Sequence, residues 1–159
     1  PQLSAVDIQA QHEKIAARFR ATPCCQKLIK LITAHAPSHV RITRAICLGL
    51  GPFDPEDGSW DAQRRSHVQL EAFLNMVAVL AKEGGMDIEC FYQEPRFADP
   101  DKAFIASLGG KVVESPSSYD LMDGTTFVYG VHLYRDIWAA ALDKELPGLY
   151  VGTGWDVWE

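Results

Sequence analysis

A short glycine turn is the strongest indication of a binding site in this sequence. Gly49-Leu50-Gly51 directly follows an apolar run that predicts a buried strand, and a helix follows further along the chain. Glycines in this context let a ligand approach the backbone closely, as they do for the phosphates of nucleotides. Phe53 stands in place of a further glycine. The dinucleotide-binding fingerprint is therefore incomplete, and a plain tight turn is an equal alternative. We predict ligand contacts at Gly49, Gly51 and Phe53.

Two further side chains belong to the same predicted edge of the fold. Glu94 ends the second predicted strand, where nucleotide-binding folds place an acidic side chain that accepts hydrogen bonds from ribose hydroxyls. It lies 43 residues beyond Gly51, rather than about 20, and a surface glutamate is the alternative. His132 follows the fourth predicted strand, where it would act as a general base or else cap a helix. No second His or Cys stands at metal-ligand spacing from it, so we expect no zinc site.

The loop after the glycines is acidic. It carries Asp54, Glu56, Asp57 and Asp61, with no basic residue before Arg64. Because like charges repel one another in a partly desolvated cleft, these carboxylates would oppose a bare pyrophosphate. A neutral or cationic ligand is favoured, and S-adenosylmethionine, which has a sulfonium and no phosphate, is the cofactor that such a loop resists least. A solvated acidic loop is the simpler alternative.

The elements that must position these residues alternate between strand and helix. Apolar runs predict strands at 45–48, 86–92, 111–114, 125–129 and 149–151, and helical spacing predicts helices at 61–83, about 99–108 and 133–142. This alternation indicates right-handed βαβ units and a parallel sheet. We predict a three-layer, Rossmann-like α/β fold of about five strands in the order 3-2-1-4-5, with helices on both faces. Ligands bind such a sheet beyond the carboxyl ends of its strands, where the strand order reverses.

Two helices precede this body. The spacing of apolar residues predicts one over about 4–20 and a second from Pro23 to before Pro37. Residues 1–44 hold seven basic and two acidic side chains, a charge of +5, and residues 45–159 hold eight basic and nineteen acidic ones, a charge of −11. We expect one domain over residues 1–159, in which a basic helical arm (1–40) packs on an acidic body (41–159). The body lacks clustered Lys and Arg, so nucleic acid is not expected as a partner.

The composition is that of a globular domain. The 159 residues are 47% hydrophobic and 23% charged, which suffices for a sizeable core. No apolar stretch approaches the roughly 20 residues that cross a bilayer, so we expect no membrane contact. No export leader opens the chain, and its four cysteines include no C-x-x-C pair. An intracellular protein, cytoplasmic or nuclear, is predicted.

Several stretches taken together resemble one family. They are Ile46 to Phe53, Gln69-Leu70, Gln93 to Phe97 and Leu108-Gly109-Gly110, and they resemble the SRR-like domain family, named for the plant "sensitivity to red light reduced" protein. The resemblance covers about residues 40–155 and implies a Rossmann-like domain. It also implies a link to circadian and light-response regulation in plants, or to haem-related metabolism and stress responses in fungi, without an established reaction. The basic two-helix start is similar to fungal members.

Two positions depart from the family pattern. The family often has Asp-Pro where this chain has Glu94-Pro95, and a Pro-His-Cys segment where this chain has Gly130 to Leu133. Of that segment, the histidine, His132, is the residue that carries over.

Three functions are consistent with these patterns. The first is a regulatory SRR-like domain whose crevice binds a nucleotide-type small molecule through Gly49, Gly51 and Glu94, with His132 lining it. The second is an S-adenosylmethionine-dependent methyltransferase, against which stand the missing third glycine and the lack of an acidic residue before Gly49. The third is a protein-protein interaction module with an empty crevice. The first is the leading hypothesis, and it leaves room for a protein partner as well.

Overall fold

A computed structural model describes residues 2–38, 41–130, 139 and 146–152 of the chain. The helices are α1 (Ala5–Arg20), α2 (Pro23–His35), α3 (Trp60–Gly84), α4 (Asp99–Ser107) and a 3₁₀ helix (Ser117–Leu121). The strands are β1 (Arg44–Leu48), β2 (Glu89–Gln93), β3 (Lys111–Val112), β4 (Thr126–Gly130) and β5 (Leu149–Gly152). The helix predicted over 133–142 lies outside the described residues, apart from residue 139. None of the helices that are described has the length and apolar character needed to span a bilayer.

The five strands form one parallel sheet in the order β3-β2-β1-β4-β5, which confirms the predicted topology. β1 takes the centre because its residues after Arg44 are buried on both faces. Leu48 lies opposite Gln93 of β2 and Gly130 of β4, so three strands end at the same edge. The strand order reverses at β1, and that edge is where a ligand crevice is expected.

Three of the helices begin at side chains that complete their first turns. The Ser4 hydroxyl accepts the N–H of Asp7, whose carboxylate accepts the N–H of Ser4 in return, and this forms a capping box. Thr22 and Ser59 cap α2 and α3 in the same position. α3 ends at Gly85, whose φ of 69° is the left-handed conformation that favours glycine. Local sequence therefore sets these helix ends.

β2 and β3 are shorter than predicted. The sequence predicts a strand from Met86, but the chain after the glycine cap stays irregular through Ile88. Glu89 is the first residue there whose nitrogen reaches the sheet, 3.2 Å from the Thr43 carbonyl oxygen. β3 is confined to Lys111–Val112 because the chain then turns toward the 3₁₀ helix.

Hydrophobic side chains pack on both faces of the sheet. Ala45 and Cys47 face α3, in a core that also contains Ile8 of α1. Ile46 and Leu48 face the opposite side, where side chains of the 3₁₀ helix cover them. The described helices thus flank the sheet on both faces. α1 contacts α3 and α4, and α2 contacts α3, so both N-terminal helices pack on the helices of the body.

A buried polar cluster joins α1 to α3. His12 of α1 places its Nδ1 3.1 Å from Nδ1 of His67, and its Nε2 3.1 Å from Oε2 of Glu71. The other carboxylate oxygen of Glu71 accepts from Arg20 at 2.8 Å and from Asn75 at 2.9 Å. His67 is fully buried, and its Nε2 has no hydrogen-bond partner in the described part of the chain. The arm therefore docks through ionisable groups as well as apolar ones.

Candidate functional site

A cavity of about 670 Å³ opens at the carboxyl ends of β1 and β2. Its walls are the glycine turn (48–52), the loop after β2 (93–96), the first turns of α3, and Ser115 and Tyr119. Small-molecule sites commonly have volumes of about 300–1,000 Å³. The structure brings Gly49, Gly51 and Glu94 together at this cavity, where the sequence predicts a ligand crevice.

The glycine turn is held in shape by the neighbouring strand and loop. Gly49 and Gly51 have φ angles of 74° and 84°, which cost little for glycine and more for any residue with a side chain. The N–H of Gly49 donates to the Gln93 carbonyl at 3.2 Å. The N–H of Gly51 donates to Oε2 of Glu94 at 2.9 Å. Both N–H groups are already hydrogen-bonded within the protein. These glycines would therefore leave room for a ligand but would not donate hydrogen bonds to it.

Glu94 is a buried carboxylate, 7% exposed, that ties two loops together. Its Oε1 accepts the backbone N–H of Arg96 at 2.9 Å, and Nε of Arg96 lies 3.5 Å from the same oxygen. Its Oε2 holds Gly51. The sequence predicts an acceptor for ribose hydroxyls here, whereas the structure supplies each carboxylate oxygen with a backbone donor from the chain itself. Glu94 therefore shapes the cavity by holding the glycine turn and the loop after β2 together.

Ser66 of α3 is a wall residue that the sequence analysis does not identify. Its Oγ lies 3.2 Å from the Leu50 carbonyl oxygen and 3.1 Å from that of Pro52. A Cβ on Gly51 would lie 3.1 Å from the same hydroxyl, so the turn packs directly on α3. A lone serine in a helix gives no spacing signal that would reveal this contact.

Phe53 lies in the core and not in the cavity wall. Its side chain is fully buried, and its ring centroid lies 4.8, 5.8 and 5.1 Å from those of His67, Phe97 and Phe104. Its N–H donates to Oδ1 of Asp101 at 3.1 Å. Burial of a large aromatic ring contributes strongly to the stability of a protein core. The predicted ligand contact at Phe53 is therefore wrong, because this side chain anchors the end of the glycine loop in the core.

The charged side chains of the described cavity wall are basic, apart from Glu94. Arg65 and Arg96 line the cavity, whereas none of the four acidic residues of the loop does. The carboxylate of Asp54 instead accepts two backbone N–H groups just before α1, at 2.6 and 2.8 Å. The expected opposition of acidic side chains to phosphate is therefore not found in this wall.

His132, the predicted general base, lies outside the described residues, and its role stays a prediction. β4 ends at Gly130, two residues before it and level with the ends of β1 and β2. Within residues 2–38, 41–130 and 146–152, no group of three or more His, Cys, Asp or Glu side chains is arranged to hold a metal ion.

The thiols of the central strands are not activated nucleophiles. Cys47 of β1 and Cys90 of β2 are unpaired. Desolvation raises the pKa of both, that of Cys90 to about 11. The thiolate is the reactive form of cysteine, so at neutral pH these two side chains serve packing.

Comparison with known families agrees with this architecture. Neither the curated proteins nor the solved structures that were compared give a significant match. A family model described as the SRR1 domain matches residues 24–159, which is most of the chain. The matched range contains the whole sheet and the cavity wall, whereas α1 lies before it. The chain therefore belongs to the SRR1 domain family, as the resemblance of its glycine turn predicts.

Proposed function

We propose that this SRR1 domain binds a nucleotide-type small molecule in the cavity at the carboxyl ends of β1 and β2. The observation that carries the proposal is the glycine turn. Gly49 and Gly51 hold left-handed conformations against a cavity of about 670 Å³, and Glu94 and Ser66 brace the turn from two sides. A site that is shaped before a ligand arrives loses less free energy in ordering its loops on binding.

The place of the cavity in the sheet supports the same proposal. In open parallel sheets, ligands occupy the crevice beyond the strand ends at the point where the strand order reverses. β1 is that point in this sheet. His132 enters the proposal as a further wall residue on its sequence position alone, two residues after β4.

The proposed activity is binding for regulation rather than catalysis. Two polar side chains of the described wall already hold backbone groups, because Glu94 accepts from Gly51 and Ser66 bonds two carbonyl oxygens. The resemblance to the SRR-like family implies regulation of circadian and light responses in plants, or of haem metabolism and stress responses in fungi. We propose that this chain has such a regulatory role inside the cell, and that ligand binding changes its interaction with a protein partner.

Binding is tested by thermal unfolding and equilibrium titration with ATP, NAD and S-adenosylmethionine. A compound that binds the folded state at a hundred times its dissociation constant adds about 2.7 kcal/mol of stability. For a chain of this size, that raises the melting temperature by about 5–10 °C. A melting temperature that none of the three compounds changes would refute the proposal and favour an interaction module without a ligand.

A matched pair of glycine variants tests the location of the site. Gly51 and Gly58 both have positive φ, at 84° and 66°. A Cβ on Gly51 meets the cavity residues Ser66 and Arg96 at 3.1 and 3.7 Å, whereas a Cβ on Gly58 meets nothing within 4 Å. We expect Gly51→Val to lose binding and Gly58→Val to keep it, with circular dichroism to confirm that both fold. Equal affinities in the two variants would remove the turn from the site.

A further inference from the structure

We propose that Arg65 and Arg96 form an anion subsite in this cavity, and that the ligand is a phosphorylated nucleoside whose phosphate lies between them. This inference rests on the proposed function and names the chemical class of the ligand.

The cavity has a basic wall inside an acidic body. Residues 45–159 carry a charge of −11, yet the charged side chains lining the cavity in the described structure are Arg65, Arg96 and Glu94. Both oxygens of Glu94 are engaged by backbone N–H groups. The described wall therefore carries two positive charges and one negative charge, an excess of one positive charge inside an acidic body.

Arg65 stands in the second turn of α3 without an acidic partner. Its Nε donates weakly to the backbone carbonyl oxygen of Asp61 at 3.4 Å. In the part of the chain that the structure describes, no carboxylate lies within 4 Å of its guanidinium nitrogens. An arginine at a cavity without a counter-ion is available to an anionic ligand.

Arg96 lines the cavity from a different element, the loop after β2. Its side chain is 73% exposed, and Nε lies 3.5 Å from Glu94. Its Nη2 would lie 3.7 Å from a Cβ on Gly51, which places the guanidinium beside the glycine turn. The carboxylate of Glu94 accepts hydrogen bonds from the backbone N–H groups of Gly51 and Arg96, so it holds both the glycine turn and the backbone of Arg96.

Two guanidinium groups that line one cavity suit a phosphate. A guanidinium presents its donors in a planar fork that binds two phosphate oxygens at once. No carboxylate of the acidic loop lies within 4 Å of the guanidinium nitrogens of either arginine in the described structure, and that of Asp54 is held at the start of α1. The sulfonium of S-adenosylmethionine would meet like charge in this wall, so a phosphorylated nucleoside is the better electrostatic match.

The test compares ATP, adenosine and S-adenosylmethionine on the full chain and on single arginine variants. We expect ATP to bind more tightly than adenosine, and Arg65→Gln and Arg96→Gln each to weaken ATP binding about ten- to hundredfold, while adenosine affinity stays unchanged. Arg64→Gln is the matched control, because Arg64 is exposed on the same helix and does not line the cavity. It should change ATP affinity less than about twofold.

The outcomes separate this inference from the proposed function. Equal affinity for ATP and adenosine, or ATP binding that both arginine variants retain, would overturn the anion subsite and leave a nucleoside site standing. The anion subsite would also be overturned if S-adenosylmethionine bound more tightly than ATP and Arg65→Gln did not weaken its binding. If no nucleoside compound binds but inorganic pyrophosphate raises the melting temperature of the wild type and not of Arg65→Gln, the subsite stands and the nucleotide function fails. Absence of binding by all four probes would overturn both.

Discussion

Acid is expected to destabilise this protein through His67. Burial, and then the neighbouring His12, lowers the pKa of His67 from 6.5 to about 3. The unfolded chain therefore takes up a proton at this imidazole near pH 6.5, whereas the folded protein does so only near pH 3. The contribution of His67 to stability is complete above pH 6.5, and it is lost progressively as the pH falls from 6.5 toward 3.

The hydrogen bonds of the cluster explain why His67 stays neutral. Both contacts of His12 are satisfied by the tautomers in which its Nε2 donates to Glu71 and its Nδ1 accepts from Nδ1 of His67. This arrangement leaves Nε2 of His67 as a buried acceptor without a partner. Protonation would turn that nitrogen into a buried, charged donor without an acceptor, which costs more than the about 1–3 kcal/mol of a neutral one.

The size of the effect follows from the two pKa values. One pKa unit corresponds to about 1.36 kcal/mol, so lowering the pH from 8 to 5 removes about 2 kcal/mol of stability through His67. Glu71 acts in the same direction at lower pH. Burial raises its pKa, but hydrogen bonds from His12, Arg20 and Asn75 together bring it below 4.5. Measurements between pH 8 and 5 therefore isolate the histidine.

Denaturant unfolding at pH 8, 6.5 and 5 measures this effect in the wild type, His67→Asn and His35→Asn. Asparagine keeps an amide near the position of Nδ1 and does not titrate, and His35 is an exposed histidine of α2. We expect the wild type and His35→Asn to lose about 2 kcal/mol more than His67→Asn between pH 8 and 5. Equal losses in the wild type and His67→Asn would refute the reasoning.

Two further predictions concern residues that shape the cavity. Glu94→Gln turns an amide group toward an N–H donor, so we expect a loss of about 1–3 kcal/mol, against less than about 0.5 kcal/mol for the exposed Glu114→Gln. Unchanged unfolding of Glu94→Gln would show that the carboxylate does not brace the turn. Phe53→Ala removes a fully buried ring and should cost about 3–5 kcal/mol, with Val6→Ala on the exposed face of α1 as its control. A loss no larger than that of the control would contradict the anchoring role of Phe53.

The fold could be predicted because its signals are local. The apolar run 45–48 predicts a central strand, and the alternation with helices predicts parallel order around it. Ser4 and Thr22 mark the starts of two helices by side-chain chemistry within one turn. The apolar run predicts that β2 begins at Met86, three residues before its start at Glu89, because composition does not show that the backbone after the Gly85 cap is still irregular.

The cavity could be located from the sequence, but the direction of its side chains could not. Strand ends bring Glu94 to Gly51, yet a carboxylate at a strand end looks the same in sequence whether it faces a ligand or a backbone N–H. Phe53 directly follows wall residues in the chain, but its side chain is buried in the core and does not face the cavity. Asp54 lies beside the cavity in sequence, but two N–H groups before α1, more than fifty residues away, hold its carboxylate.

These contacts connect the start of α1 to the loop that follows the glycine turn, although α1 lies before the range that the family model matches. Phe53 packs on His67, which holds His12 of α1, and the next residue, Asp54, accepts the N–H groups that precede α1. Phe53 and Asp54 follow Gly51 by two and three residues. Loss of α1 would therefore release the end of the glycine loop at two adjacent residues, and leave Glu71 and His67 without His12. A fragment restricted to residues 24–159 lacks these restraints, so ligand affinity measured on it would not represent the cavity of the full chain.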